Sequence, residues 1–131
     1  MSKNQQMLLI VEDDPGLQRQ MRWCFADYET VVARDRDSAL ALLQRHKPAV
    51  VTLDLGLPPD ADGSSEGLAT LAQIRALAPH TRVIVVTGNQ DRANAVRALE
   101  SGAYDFCQKP FDPAKLGEIV QRAFRVGALA Q

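Results

Sequence analysis

The stretch VVTLDLGLPPDADG, residues 50–63, indicates the fold of this chain of 131 residues. Its first half is apolar and β-branched, which is typical of a strand that is covered on both faces of a parallel sheet. The strand stops at a single carboxylate, Asp54, and a loop with two prolines follows directly. A carboxylate that closes an otherwise buried strand points to a function at that position.

Apolar, β-branched runs recur on both sides of this stretch, and with it they number five: 7–11, 29–33, 49–54, 82–87 and 103–108. The segments after each run have the apolar spacing of an amphipathic helix. The predicted apolar positions of the five helices are Leu17, Met21, Cys24 and Phe25; Leu40, Leu42 and Leu43; Leu68, Leu71, Ile74 and Leu77; Val96 and Leu99; and Leu116, Ile119, Val120 and Phe124. Gly102 predicts a helix end, and Asp112 before Pro113 predicts a helix start. The pattern is (βα)5.

Strand composition predicts the order of the sheet. The first, third and fourth runs are almost wholly apolar, whereas the second and fifth carry polar residues such as Glu29 and Gln108 and therefore suit the edges. With right-handed crossovers, this favours the order 2-1-3-4-5 in an α/β, flavodoxin-like three-layer sandwich. The switch point of this topology lies between strands 1 and 3.

Length and composition narrow the possible functions. We expect one domain, 1–131, with a core of about 6–126. The net charge of −1 gives no general attraction to nucleic acid or to a membrane surface. The sequence has no long apolar run and no secretory signal, so we expect a cytoplasmic protein without membrane contact. Cys24 and Cys107 have no metal-binding spacing and are interpreted as small buried hydrophobic residues.

Polar residues gather where the predicted strands end. They are Glu12, Asp13 and Asp14 after strand 1, Asp54 at strand 3, Thr87 at strand 4 and Lys109 after strand 5. Carboxylates that converge in this way repel one another unless a cation is bound, and oxygen ligands favour Mg²⁺, with Mn²⁺ as a second possibility. Magnesium sites commonly handle phosphate, so Asp54 is a candidate nucleophile in phosphoryl transfer.

Each residue also has a structural interpretation when it is taken alone. The acids after strand 1 could cap a helix that begins near Pro15, Thr87 could be an ordinary strand end, and Lys109 could be a solvated lysine. Their coincidence at four strand ends of one sheet favours a shared site. There, Lys109 and the Thr87 hydroxyl could contact phosphoryl oxygens. The Lys109-Pro110 bond also permits a cis peptide.

The motifs LLIVEDD, VVTLDLGLP, VIVVTG and QKPF resemble the receiver domain of two-component response regulators over essentially the whole chain. The resemblance implies that Asp54 accepts a phosphoryl group from a sensor histidine kinase or a phosphotransfer protein. It also implies that Asp13, Asp54 and the backbone carbonyl of Gly56 bind Mg²⁺ directly and that Glu12 acts through water. Thr87 and Phe106 would form the switch pair.

The same resemblance implies how the signal leaves the domain. Helix 4, strand 5 and helix 5 would control an output domain or partner in transcription regulation, with a phosphorylation-dependent dimer as one possible state. The chain would then be a signalling domain, not an enzyme, that catalyses only its own phosphorylation and slow dephosphorylation. The segment KPFDPAKL resembles receivers that precede a central ATPase, and we expect the chain to be either a stand-alone receiver or a piece of a longer regulator.

Two features depart from the usual receiver pattern. The segment PPDADGSSEG carries about three more residues than the usual loop between strand 3 and helix 3, which predicts an exposed loop beside the site. Gly56 offers no side chain to orient a hydrolytic water, although Asn89 could help, so we expect a long-lived phosphoryl state.

Trp23 is interpreted either as part of a docking surface for the donor or as an aromatic packed on helix 5.

Three other functional interpretations of the sequence compete with the receiver domain. A phosphatase of the haloacid dehalogenase type also uses a strand-end aspartate, but it needs a second acid where Gly56 stands. A dinucleotide-binding fold needs GxGxxG after strand 1, where EDDPG stands instead. A pseudo-receiver that only binds partners would not need the intact set of Asp13, Asp54, Thr87 and Lys109.

Overall fold

Strands and helices alternate along the whole described chain. The computed structural model describes residues 6–59, 63–88 and 92–130, with side chains up to residue 126. The elements are β1 (Met7–Val11), α1 (Pro15–Cys24), β2 (Glu29–Ala33), α2 (Arg36–His46), β3 (Val50–Asp54), α3 (Ser65–Leu77), β4 (Arg82–Thr87), α4 (Arg92–Glu100), β5 (Asp105–Gln108) and α5 (Pro113–Ala130). The predicted (βα)5 pattern is confirmed.

The five strands form one parallel sheet in the order β2-β1-β3-β4-β5. This is the predicted order, with the two polar runs at the edges. Asp54 pairs with Val86, and Thr87 pairs with Gln108. Parallel pairing in this register brings the carboxyl ends of the strands to one edge of the sheet, where ligands bind in open α/β folds.

Side chains that alternate along the strands make two separate cores, one on each face of the sheet. The first core contains Leu9, Val11, Val51, Leu53, Val83 and Val85 against α2, α3 and α4. The second contains Leu8, Ile10, Val50 and Ile84 against α1 and α5. The structure is therefore the predicted three-layer sandwich.

The helix boundaries follow the predicted signals in most places. Asp112 accepts a hydrogen bond from the Ala114 N–H at 3.0 Å before α5, and Gly102 has the positive φ of 105° that ends α4. A capping box that was not predicted starts α2, where the Asp35 side chain accepts from the Ser38 N–H. The Lys109-Pro110 bond is cis, as the sequence permits, and so is Pro58-Pro59.

Strand 3 begins at Val50 and strand 5 at Asp105, one and two residues later than predicted. Cys107 is buried and Cys24 is half-buried, and both are free thiols. None of the helices in the described part of the chain is long and apolar enough to cross a bilayer.

Some predicted core positions are wrong. Val96 and Leu99 of α4 are 49% and 37% exposed, and Leu77 at the end of α3 is 51% exposed. The buried residues of α4 are Ala95 and Ala98, which lie one position earlier on the helix. A short helix that packs through alanine methyl groups approaches the sheet closely, and its larger apolar residues are then left on the flank.

The close packing of α3 on the chain after β3 gives a stability prediction. A Cβ at Gly67 would lie 2.3 Å from Leu55 Cα and 2.5 Å from Leu55 O, and both of these are backbone atoms that cannot turn aside. We expect Gly67→Ala to destabilise the fold by about 1–3 kcal/mol, measured by urea unfolding. The matched control is Gly117→Ala in α5, where a Cβ meets nothing within 4 Å. It should stabilise by about 0.5–1 kcal/mol, and equal effects of the two substitutions would contradict this account of the packing.

Candidate functional site

The ends of four strands bring the predicted polar residues to one place. Glu12 follows β1, and its N–H donates to Ala33 O at the end of β2, at 2.9 Å. Asp54 and Thr87 are the last residues of β3 and β4. Lys109 follows β5, and its N–H donates to Thr87 O at 2.7 Å. The backbone of the sheet edge therefore holds each of these residues in position.

Three carboxylates converge at this edge. One oxygen from each of Glu12, Asp13 and Asp54 lies within 4.8 Å of the others. Glu12 and Asp54 are 2% and 6% exposed, and Asp13 is half-buried. Asp14 has a different place: its side chain accepts from the Gly16 N–H at 3.0 Å and caps α1. One of the three acids after β1 is thus a helix cap, and the other two join Asp54.

The Lys109 ammonium bridges two of these carboxylates. Its Nζ lies 3.2 Å from Glu12 Oε1 and 3.3 Å from Asp54 Oδ1. Burial alone would lower the pKa of Lys109, but the charges of Asp54 and Glu12 outweigh it, and the net pKa lies above the ordinary value. The lysine is therefore held charged at the centre of the site.

Glu12 has an unusual acidity. Burial is the largest cause that raises the pKa of its carboxyl, the negative charge of Asp54 adds to the rise, Lys109 opposes it, and the net pKa is about 7. The Asp14 N–H donates to Glu12 Oε2 at 3.2 Å, which stabilises the charged form. The pKa of Glu12 is therefore raised mainly by burial and further by the negative charge of Asp54, and Lys109 offsets these effects only in part.

A divalent cation fits this donor set. The cluster offers oxygen atoms from three carboxylates, which is the chemistry that Mg²⁺ and Mn²⁺ prefer. A bound dication would also offset the repulsion that raises the pKa of Glu12. The burial and the charge of the site are therefore both compatible with a magnesium centre.

The turn after β3 fixes the orientation of the Asp54 carboxylate. The Gly56 N–H donates to Asp54 Oδ1 at 3.0 Å, and the Leu55 N–H donates to Val86 O at 3.2 Å. The first bond is a local turn that the aspartate side chain closes on its own backbone. Gly56 is thus beside Asp54, where its carbonyl was predicted to act.

The predicted switch residues differ in their surroundings. Thr87 is 1% exposed, and within the described part of the chain its Oγ1 has no hydrogen-bond partner. A buried hydroxyl without a partner is costly and is commonly explained by function. Phe106 is half-buried and packs against the core on the side of α2, α3 and α4.

One residue of the site was not predicted from the sequence, and some predicted residues lie outside the part of the chain that the structure describes. The Gln18 side chain donates to the Glu12 carbonyl oxygen and ties α1 to the end of β1; a polar residue on the first turns of α1 was the available signal. Asn89 and residues 60–62 of the long loop lie outside the described residues. Trp23 is 83% exposed, so the prediction that it packs on α5 is wrong.

Comparisons with known proteins agree on one family. The family model for the response regulator receiver domain matches residues 8–121. The alginate biosynthesis transcriptional regulatory protein AlgB of Pseudomonas aeruginosa is 38% identical over 117 residues, which are 88% of this chain and 25% of that protein. The chemotaxis protein CheY of Listeria monocytogenes is 30% identical over 119 residues, which are 88% of this chain and 96% of that protein.

A solved structure gives the same result. The crystal structure of the receiver domain of NtrX from Brucella abortus matches with a TM-score of 0.83 at 33% identity, over 90% of this chain and 98% of that chain. The chain spans about a quarter of the length of AlgB and of the AtoC regulator from Escherichia coli. The sheet order, the strand-end cluster and these matches together show that the chain belongs to the family of response regulator receiver domains of two-component systems.

Proposed function

We propose that this receiver accepts a phosphoryl group on Asp54 from a sensor histidine kinase or a phosphotransfer protein, in a reaction that depends on Mg²⁺. The observation that carries the proposal is the buried Asp54 carboxylate, 3.3 Å from Lys109 Nζ and within 4.8 Å of the carboxylates of Glu12 and Asp13. A buried carboxylate, a lysine ammonium and two further carboxylates at one sheet edge support the proposed roles of nucleophile, fixed cation and metal site.

Asp13, Asp54 and the backbone carbonyl of Gly56 are the proposed direct ligands of Mg²⁺, and Glu12 is proposed to act through water. When bound, the metal supplies positive charge that holds and neutralises the phosphoryl oxygens. The chain itself orients the nucleophile, because the Gly56 N–H donates a hydrogen bond to one oxygen of the Asp54 carboxylate. Mn²⁺ suits the same oxygen ligands.

In the proposed reaction, an Asp54 oxygen attacks the phosphorus of a phosphohistidine. The new P–O bond forms as the P–N bond breaks, and the electron pair stays on the imidazole nitrogen, which takes a proton from solvent. Lys109 is close enough to pair with a phosphoryl oxygen once the group has arrived. Water later cleaves the acyl phosphate, so the domain catalyses only its own phosphorylation and slow dephosphorylation.

The proposed switch uses Thr87 and Phe106. Phosphorylation adds a charge of about −1.5 to −2 and three acceptor oxygens at the end of β3. The unpartnered Thr87 hydroxyl is buried at the end of the neighbouring strand and is suited to donate to one of these oxygens. Its movement would let Phe106 turn inward and would change the surface of α4, β5 and α5.

The wider assignment follows from the family and its relatives. We propose that residues 1–131 form a single receiver domain with a core of about 6–126, which acts in the cytoplasm without itself contacting nucleic acid or membrane. Its α4, β5 and α5 face would control an output domain or partner, with a phosphorylation-dependent dimer as one form of that control. The relative AlgB is named a transcriptional regulatory protein, which supports an output in transcription regulation.

The first prediction concerns the acceptor. With acetyl phosphate and Mg²⁺, intact mass should show one added phosphoryl group, and Asp54→Asn should abolish it because the amide removes the proposed nucleophilic carboxylate. Asp14→Asn is the matched control: its exposed side chain caps α1, and asparagine is also a good N-cap, so labelling should persist. A chelator should prevent labelling of the unmodified chain. Substrate turnover without an adduct would indicate a phosphatase, and the absence of any adduct would indicate a pseudo-receiver; either would contradict the proposal.

The second prediction separates phosphorylation from switching. Thr87→Val removes a buried hydroxyl that has no partner among the described residues, so the unphosphorylated fold should gain about 1 kcal/mol of stability. Asp54 should still be labelled, but the change in hydrogen exchange of α4, β5 and α5 on phosphorylation should be lost. Thr87→Ser keeps the donor and should retain that change. An unaltered exchange response in Thr87→Val would contradict the proposed role.

A further inference from the structure

The start of α3 presses directly on the chain that follows Asp54. A Cβ at Gly67 would lie 2.3–2.7 Å from three backbone atoms of Leu55, so the two backbones are in contact with no side chain between them. Leu55 is joined to Gly56, whose N–H donates to Asp54 Oδ1. The position of the first turn of α3 therefore sets the position of the turn that orients the Asp54 carboxylate.

The N-cap residue of α3 does not cap the helix with its side chain. Ser64 stands at the N-cap of α3 but makes no side-chain capping hydrogen bond. The connection from β3 runs from residue 55 to residue 64 and is the extended loop that departs from the usual receiver pattern. A longer connection restrains the two ends it joins less than a tight turn does. Core packing of Leu71 and Ile74 holds the body of α3, and an ion pair adds a restraint at its first turn.

One ion pair joins the start of α3 to the start of α2. Arg36 Nε lies 2.8 Å from Glu66 Oε2, and the Glu66 side chain is only 15% exposed. Arg36 is the first residue of α2, whose own start is fixed by the capping box of Asp35 and Ser38. The pair lines a cleft of about 440 Å³ between the two helix starts, where Pro58 and Pro59 form another wall. Across this cleft the ion pair acts as a bridge.

We propose that the Arg36–Glu66 ion pair is a positioning element of the phosphorylation site. It holds the first turn of α3 on Leu55, and through Leu55 it fixes the Gly56 turn, the Asp54 carboxylate and the carbonyl proposed to bind Mg²⁺. Glu66 and Gly67 are adjacent, so the tether and the contact lie on one helical turn. Neither Arg36 nor Glu66 touches the reacting atoms, and the inference rests on the proposed function of Asp54.

The test uses the full chain and measures two quantities, the Kd for Mg²⁺ by calorimetry and the rate of labelling of Asp54 by acetyl phosphate. The variants are Arg36→Ala, Glu66→Ala, their combination, and the reversed pair Arg36→Glu with Glu66→Arg. Arg75→Ala is the matched control, because Arg75 lies at the other end of α3 and donates to Pro79 O at 2.9 Å. Urea unfolding of every variant gives the loss of fold stability for comparison.

We expect each single substitution to weaken Mg²⁺ binding or slow labelling by about two- to fivefold, the range for loss of a partly exposed ion pair. The combined alanine variant should be no worse than either single one, because both remove the same interaction. The reversed pair should recover most of the loss, and Arg75→Ala should leave both quantities unchanged even if it lowers stability.

Two results would overturn the inference. In the first, Arg36→Ala and Glu66→Ala bind Mg²⁺ and are labelled as the unmodified chain is, with only a loss of stability like that of Arg75→Ala. In the second, their effects are additive and the reversed pair recovers nothing. Failure of the proposed function looks different: the unmodified chain is then not labelled, or Asp54→Asn is labelled equally well.

Discussion

Repulsion among carboxylates held close together at one edge of the sheet is the constraint on which the site depends. Glu12, Asp13 and Asp54 bring three acidic groups within 4.8 Å, and two of them are almost fully buried. Because little water reaches these buried carboxylates, their charges are poorly screened, and the cluster needs positive charge nearby. Lys109 provides one charge at about 3 Å from two of the acids, yet burial and the charge of Asp54 still raise the pKa of Glu12. A site that lacks positive charge in this way is suited to a divalent cation and to a phosphoryl group that arrives with it.

The parallel sheet makes this crowding possible. Every strand in a parallel sheet ends at the same edge, so residues far apart in sequence meet there without any long-range signal between them. Backbone bonds across the edge, from Glu12 to Ala33 and from Lys109 to Thr87, fix the places where the side chains start. Two apolar cores, one on each face, hold the sheet rigid beneath the site. The polar edge is thereby supported by apolar packing that takes no part in the chemistry.

The sequence predicted the positions of the strands and helices better than it predicted which face of each helix is buried. Runs of β-branched residues, the Asp112-Pro113 start and the Gly102 stop are local signals, and they gave the strands, two helix ends and the sheet order. The face of α4 was wrong because Val96 and Leu99 are larger and more apolar than Ala95 and Ala98, yet close approach to the sheet selects the small residues. Hydrophobicity ranks candidates for burial, but the helix orientation decides between them.

The sequence by itself determined that acids, a threonine and a lysine stand at strand ends, because secondary structure and parallel topology follow from local periodicity. Only the tertiary structure decided how they are divided: Asp14 caps α1, Glu12 is buried and bonded by Gln18, and Lys109 lies between Glu12 and Asp54. The same is true of the contact between Gly67 and Leu55 and of the pair of Arg36 with Glu66. The Asp14 cap is local, but the contacts of Lys109, Gly67 and Arg36 join segments that no local pattern relates, and their burial and distances exist only once the layers have packed.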